Sequence, residues 1–269
     1  MRQLAAGGHR VRALTRTPAT ADLPDGVDVV SGDLTDPGTL TGAFAGVSAV
    51  HFITFGGQDG APLSTGPALA ELAIRAGVRR TTVLRGWEES GLEQALTAAG
   101  LGWTQLAPVE FMSGALEWAP CVREHGAVRL LADWPSAVVH EADIAAVAAV
   151  ALTEDGHAGR TYDITGPEAL TPRQRTRVLG DVLGRPIAFE PLTEEQERER
   201  LRSCGYGEDD VEFGIRLATA PPVTAAVVRP TVQRVTGRPA RTFAQWAAEH
   251  ADAFRTGPSR APATVPADV

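Results

Sequence analysis

The chain has 269 residues, enough for one domain with a smaller appended lobe and for a sizeable buried core. Its net charge of −8 argues against a nucleic-acid-binding protein, and no apolar run reaches the ~20 residues that a membrane span needs. All 25 basic residues are arginine, which excludes any chemistry that requires a lysine amine. Cys121 and Cys204 fit no metal or disulfide spacing, and no basic segment followed by an apolar stretch suggests secretion. We therefore expect reduced thiols in a cytoplasmic protein.

The first residues read as the end of a helix, a stop at Gly7-Gly8 and a strand over residues 10–15. This order is typical of the second half of a strand–helix–strand unit, whose first half holds a strand and a Gly-rich turn for pyrophosphate. We expect either that ~20–30 residues precede Met1 in the natural protein or that strands 10–15 and 49–54 pair directly. Cofactor affinity is expected to be poor without that turn, because the pyrophosphate loses its helix N-terminus.

The rest of the first half alternates short apolar runs with helical patterns, which is typical of a parallel sheet covered by helices. Further strands are predicted at residues 27–31, 49–54, 81–84 and 104–106. Helices are predicted after Asp36, over residues 64–76 and over residues 88–99, the last two ending at Gly77 and Gly100.

The second half is less regular. Short strands are predicted at 128–131 and 137–139, a buried helix at 143–152 and a core strand at 161–165. Three Thr-x-x-Gln capping boxes, at Thr171, Thr193 and Thr242, indicate helix starts in a C-terminal lobe. The sequence therefore predicts an α/β fold: a Rossmann-like, doubly wound parallel sheet in residues 1–165, a small mostly helical lobe in 166–255 and a flexible tail in 256–269.

Three stretches follow predicted strands and could touch a nucleotide. Arg16 ends strand 10–15, where a doubly wound sheet meets the adenosine ribose and where arginine accommodates the 2′-phosphate of NADP. Asp33 follows the next strand and could meet adenine, or could organise the turn before Asp36. Small residues after strand 49–54, around Gly56, let the backbone approach a ligand. The alternatives are an ordinary surface arginine and an ordinary Gly-rich loop.

Several segments, in this order, resemble the NmrA-like branch of the atypical short-chain dehydrogenase/reductases. They are RQLAAGGHRVRALTRTP, VDVVSGDLTDPGTLTGAFAGVSAVHFIT, AIRAGVRRTTVL, AAGLGWTQLAPVEFMSGALEW, VHEADIAAVAAVAL and GRTYDITGPEALT, and they span about residues 1–185. The resemblance implies a Rossmann-like fold, the cofactor NADP(H) and a small-molecule substrate, with no nucleic-acid or membrane partner; it implies no oligomeric state. It assigns Arg16 to the 2′-phosphate, Asp33 and Leu34 to adenine, Thr54, Phe55 and Gly56 to the ribose and pyrophosphate, and Pro108 to the nicotinamide.

The chain departs from the wider family in one catalytic feature. Typical short-chain reductases use a Tyr-x-x-x-Lys pair as proton donor, and a chain without lysine cannot form it. We expect an oxidoreductase acting on a small apolar carbonyl, quinone or enone. A non-catalytic NADP(H)-binding redox sensor or degenerate relative, and a redox-neutral isomerase or cyclase, are the alternatives.

The remaining candidate residues lie on the substrate side. The expected substrate contacts are Trp87, Glu88, Phe111, Met112 and Trp118. Glu110 could be a desolvated carboxylic acid with a raised pKa, or simply a solvated loop residue. Trp118 and Trp134 could form an aromatic wall, or belong to the core. His140 is a possible acid/base, although Asp143 and its neighbours are better explained as a helix start than as a metal site.

Overall fold

The computed structural model describes residues 1–56, 61–86 and 90–255. Trp87, Glu88 and the predicted tail 256–269 lie outside the described residues. The chain divides into two compact units: Met1–Pro108, Glu141–Thr165 and Arg229–Pro239 form the first, and Val109–His140, Gly166–Val228 and the described part of Ala240–Val269 form the second. The units interleave along the sequence instead of following the contiguous ranges 1–165 and 166–255, because the chain leaves the first unit after Pro108 and later returns to it for a helix and a strand.

Ten strands occur in the described part of the chain; seven lie close to predicted positions, whereas β4, β5 and β10 were not predicted. They are β1 (Arg12–Thr15), β2 (Asp28–Ser31), β3 (Ala49–Ile53), β4 (Phe55–Gly56), β5 (Ala61–Pro62), β6 (Arg80–Leu84), β7 (Trp103–Pro108), β8 (Ala127–Leu130), β9 (Thr161–Ile164) and β10 (Ala188–Pro191). The strand predicted at 137–139 is wrong as an element: this stretch makes only isolated bridges, such as Val139 with Phe111.

The first unit contains a four-stranded parallel sheet in the order β3-β6-β7-β9. β1 and β2 form a separate parallel pair, and β4 and β5 form a short antiparallel pair. Of the two alternatives given above, direct pairing of the strand at 10–15 with the strand at 49–54 is wrong, because β1 pairs only with β2 and β3 only with β6 among the described strands. Helices connect the parallel strands, which confirms the predicted α/β class.

Eleven α-helices occur in the described part of the chain. They are α1 (Arg2–Ala6), α2 (Gly66–Arg75), α3 (Gly91–Ala98), α4 (Ala119–His125), α5 (Glu141–Thr153), α6 (Pro172–Leu183), α7 (Glu194–Ser203), α8 (Glu208–Thr219), α9 (Thr231–Thr236), α10 (Phe243–Glu249) and α11 (Ala251–Phe254). The helix predicted after Asp36 is only a 3₁₀ turn, Pro37–Leu40, in which the Asp36 side chain accepts a hydrogen bond from the N–H of Gly38. Among the described residues, none of these helices combines the length and the apolar composition that a membrane span requires.

Each unit has its own apolar core. In the first unit Leu40, Phe52, Leu69 and Leu92 are almost completely buried together. In the second unit the core contains Met112, Trp118, Val138, Leu179, Phe243, Trp246 and Phe254. All three predicted capping boxes form, at the starts of α6, α7 and α10, so these helix boundaries follow from local hydrogen bonding.

Candidate functional site

The predicted cofactor residues of the first unit follow the carboxyl ends of its parallel strands. Arg16 comes directly after β1, Asp33 and Leu34 follow β2, and Thr54 follows β3. In sheets of this kind ligands bind outside the carboxyl ends of the strands. The strand ends therefore give this stretch of the unit the character of a nucleotide site.

The turn after β2 is organised by Asp33. Its Oδ1 accepts hydrogen bonds from the backbone N–H of Thr35 at 2.8 Å and from the Thr35 hydroxyl at 2.7 Å. These two hydrogen bonds hold the pKa of Asp33 below its ordinary value of 3.8, and the bond from the backbone has the larger effect. The positive charge of Arg16 lowers the pKa further. The turn-organising interpretation of Asp33 is thus confirmed, while its contact with adenine stays a prediction.

Arg16 is exposed beside this turn. Among the described residues its guanidinium makes no hydrogen bond or ion pair, in contrast to Arg12, which donates to the carbonyl of Ala45 at 2.8 Å and to that of Ala43 at 3.1 Å. An exposed guanidinium at the end of β1 that makes no hydrogen bond or ion pair among the described residues can bind a phosphate group.

β4 packs against the same turn. A Cβ at Gly56 would come within 2.6 Å of the Leu63 side chain and 3.1 Å of the Thr35 side chain, so a larger residue there would require these side chains to move. Thr65, at the start of α2, donates to the carbonyl of Leu34 at 2.6 Å. Thr54 is buried, and its hydroxyl donates a hydrogen bond to the carbonyl of Leu84. The next residue, Phe55, is exposed. The Asp33 turn, β4 and the start of α2 therefore form one surface.

These groups fit the adenosine-phosphate end of a dinucleotide. They supply the exposed Arg16 guanidinium and a half-buried apolar side chain at Leu34, whereas the space beside Gly56 is filled by the Leu63 and Thr35 side chains. The described residues include no Gly-rich turn at a helix N-terminus that would fit the pyrophosphate. Pro108 ends β7 opposite Ile164, and its proximity to a nicotinamide stays a prediction.

The substrate-side candidates that the structure describes lie in the second unit. Phe111 is exposed, whereas Met112 and Trp118 are buried in the core, where Trp118 packs on Phe243 with a 6.5 Å centroid distance. For Trp118 the core interpretation is confirmed, and Met112 has the same packing role.

Glu110 is exposed to solvent and is also paired with an arginine. Nη1 of Arg175 donates a hydrogen bond to its Oε1 at 2.9 Å. Arg175 was not among the predicted site residues, because a lone arginine on a helix carries no signal of burial.

His140 is buried, and its Nε2 lies 3.2 Å from Oε2 of Glu249. No group of three or more His, Cys, Asp or Glu side chains in the described ranges could hold a metal ion.

Both tyrosines have hydrogen-bond partners within their own units. Tyr162 Oη lies 2.7 Å from Nδ1 of His157, and Tyr206 donates to Glu117 at 3.2 Å. The negative charge of Glu117 raises the pKa of Tyr206 above its ordinary value.

Residues 1–155 match a family model described as NAD(P)H-binding. The chain belongs to this NAD(P)H-binding family. It is 40% identical, over 91% of its length and 90% of the relative's, to a (4-alkanoyl-5-oxo-2,5-dihydrofuran-3-yl)methyl phosphate reductase of Streptomyces griseus. It is 35% identical to an NAD(P)H azoreductase of Xenophilus azovorans, over 85% and 84% of the two chains.

The fold comparison agrees with the family. An NADPH-dependent quinone oxidoreductase of Escherichia coli, solved in complex with NADPH, superposes with a TM-score of 0.72 at 25% identity, over 88% of this chain and 89% of that one. The predicted Rossmann-like fold and the predicted nicotinamide dinucleotide are confirmed at this level.

Proposed function

We propose that this chain is an NADPH-dependent reductase of small conjugated carbonyl compounds, enones or quinones, in the NmrA-like branch of the short-chain dehydrogenase/reductases. Support comes from the family membership and from the relatives, which are named as reductases of a dihydrofuranone phosphate, of azo compounds and of quinones. The ring in the first of these names contains a carbon–carbon double bond conjugated with both a lactone carbonyl and an alkanoyl group.

The preference for NADPH rests on Arg16. This guanidinium lies at the carboxyl end of β1, has no ionic partner among the described residues and neighbours the ordered Asp33 turn. An arginine at this position accommodates a 2′-phosphate, whereas an acidic residue would bind the free 2′-hydroxyl of NADH.

The choice of a conjugated substrate follows from the proton-donor chemistry available to the chain. When bound, NADPH supplies a hydride. Reduction of a simple ketone leaves an alkoxide, which needs a strong positioned proton donor such as the Tyr–Lys pair. Hydride addition to an enone or quinone leaves an enolate or phenolate. The charge of this anion is delocalised, so water can protonate it. A protein without lysine is therefore better suited to the second class.

A non-catalytic NADP(H)-binding protein is the second candidate function. It is favoured by the partners of the two tyrosines, since Tyr162 pairs with His157 and Tyr206 with Glu117, so that neither hydroxyl is arranged as in a Tyr–Lys pair. Such a protein would bind NADPH and consume none of it.

The deciding experiment measures loss of NADPH absorbance with a panel of enones, quinones, azo dyes and simple ketones. Turnover of the enones or quinones, with little turnover of the ketones, is expected. NADPH binding without turnover of any compound would favour the non-catalytic alternative. Turnover restricted to simple ketones would contradict the proposed substrate class.

A further inference from the structure

Arg175 is an arginine of α6 whose charge is buried inside the second unit. Its side chain is only 3% exposed, and it reaches the carboxylate of Glu110, which is 40% exposed, with 2.9 Å between Nη1 and Oε1. Burying a charged guanidinium costs free energy unless an opposite charge is paired with it. Arg175 and Glu110 therefore form one ion pair. The negative end of the pair faces outward.

The guanidinium is held from other sides as well. It lies over the ring of Trp118, with 5.2 Å between Cζ and the ring centroid, and Trp118 belongs to the core. Its position is therefore set by packing, and so is the position of the Glu110 oxygen that it binds. The second carboxylate oxygen, Oε2, has no hydrogen-bond partner among the described residues and remains able to accept one.

The backbone around Glu110 is equally fixed. The carbonyl of Glu110 accepts from the N–H of Val139 at 2.9 Å, and the N–H of Met112 donates back to the Val139 carbonyl at 2.9 Å. The Met112 side chain is fully buried, whereas the ring of Phe111, which lies between Glu110 and Met112 in the sequence, is exposed. The segment 110–111 thus presents an oriented hydrogen-bond acceptor next to an apolar ring, two residues after the end of β7.

We propose that Glu110 is a specificity-determining residue that accepts a hydrogen bond from a hydroxyl group of the substrate, and that Arg175 is its positioning residue. This inference rests on the proposed reductase function. A fixed carboxylate attracts a hydroxyl donor and repels an anion. The chain should therefore prefer a hydroxymethyl enone to its phosphate ester, in contrast to the methyl phosphate in the name of the Streptomyces griseus relative.

The test compares a hydroxymethyl butenolide with its own phosphate ester, using kcat/KM for NADPH-dependent reduction of each. The variant Glu110→Gln keeps the shape and removes the charge, and we expect the alcohol-to-phosphate preference to fall about tenfold, as for one charged hydrogen bond. Glu124→Gln, which removes an exposed carboxylate on α4 of the same unit, is the matched control and should leave the preference unchanged. NADPH affinity should be equal in all three proteins.

Arg175 is tested by Arg175→Met, which retains an apolar stem against Trp118, and by Arg175→Lys, which retains the charge. The methionine variant should raise KM for the alcohol several-fold with little change in kcat, and the lysine variant should recover part of the loss. In the Glu110→Gln background the methionine change should add little, because the two residues act through one contact. A purely structural role would instead lower kcat and the melting temperature together, with no such dependence on Glu110.

The outcomes separate this inference from the proposed function. If the wild-type protein reduces the substrates but Glu110→Gln leaves the alcohol-to-phosphate preference as it was, the inference is overturned and the reductase function stands. If no compound is reduced, the reductase function fails, and the same two compounds are compared by calorimetric binding to the wild type and Glu110→Gln. An equal preference in both proteins then overturns the inference too.

Discussion

Thr35 donates both its backbone N–H and its hydroxyl to a single oxygen of Asp33, at 2.8 and 2.7 Å. The two bonds close the turn after β2 against β4, where Gly56 leaves room for the Thr35 side chain. A carboxylate that serves as the acceptor of a turn is held in its charged form, and the same turn contains Leu34, a predicted adenine contact.

Asp33→Asn should loosen this turn and weaken NADPH binding about tenfold, since a charged hydrogen-bond acceptor is lost. The pKa of Asp33 is lower in the folded protein than its ordinary value of 3.8, so its stabilising contribution is present above pH 3.8 and is lost as the pH falls further. The free energy of unfolding of the variant should therefore fall less steeply than that of the wild type as the pH drops below 3.8. Asp25→Asn, at an exposed aspartate between β1 and β2, should behave as wild type in both the NADPH titration and the acid unfolding curve.

Arg16→Gln should weaken NADPH binding roughly 10- to 100-fold and leave NADH binding nearly unchanged, because the proposed contact of this guanidinium is with the 2′-phosphate alone. The measurement is a fluorescence titration with each cofactor. Arg10→Gln removes another exposed arginine, just before β1, and should affect neither cofactor. An equal loss of affinity for NADPH and NADH in Arg16→Gln would contradict the 2′-phosphate assignment.

Gly66→Ala should destabilise the first unit by about 2 kcal/mol or more, as overpacking does. A Cβ at Gly66 would lie 2.4 Å from the backbone nitrogen of Leu92, so α2 and α3 would have to move apart. Gly91→Ala is the matched control, because a Cβ there meets no atom within 4 Å. Urea unfolding of the two variants should give clearly different midpoints, and equal midpoints would show that the helices separate without cost.

His51 on β3 should make the protein sensitive to mild acid. Desolvation is the main cause that lowers the pKa of His51 from 6.5 to about 4, although the residue as a whole is exposed, and its Nδ1 lies 2.8 Å from the Thr82 hydroxyl. The folded state then binds fewer protons than the unfolded one between these values, so stability is complete above pH 6.5 and falls as the pH drops toward 4.

His51→Gln should remove about 1 kcal/mol of the stability difference between pH 6.5 and pH 4, a figure reduced for the exposure of the ring. The measurement is the free energy of unfolding in urea at both values. His9→Gln, at an exposed histidine, should leave the difference as in the wild type. A His51→Gln protein with the full wild-type difference would refute the role of His51.

Local sequence signals predicted the elements of this fold well. The capping boxes at Thr171, Thr193 and Thr242 form as predicted, since the bonds that define them join residues only three apart. The strand predicted at 137–139 was wrong, because apolar residues indicate burial but do not say whether a neighbouring strand is available to complete a ladder.

The sequence by itself determined the α/β class and most strand and helix positions, because strand ends and turn chemistry are properties of neighbouring residues. The nucleotide contacts of the residues that follow β1, β2 and β3 stay predictions. Only the tertiary structure decided that Arg175 is buried against Trp118 and bound to Glu110, and that the units interleave at Pro108. The partners in that pair are 65 residues apart, and no local pattern encodes which distant side chain will meet a given charge.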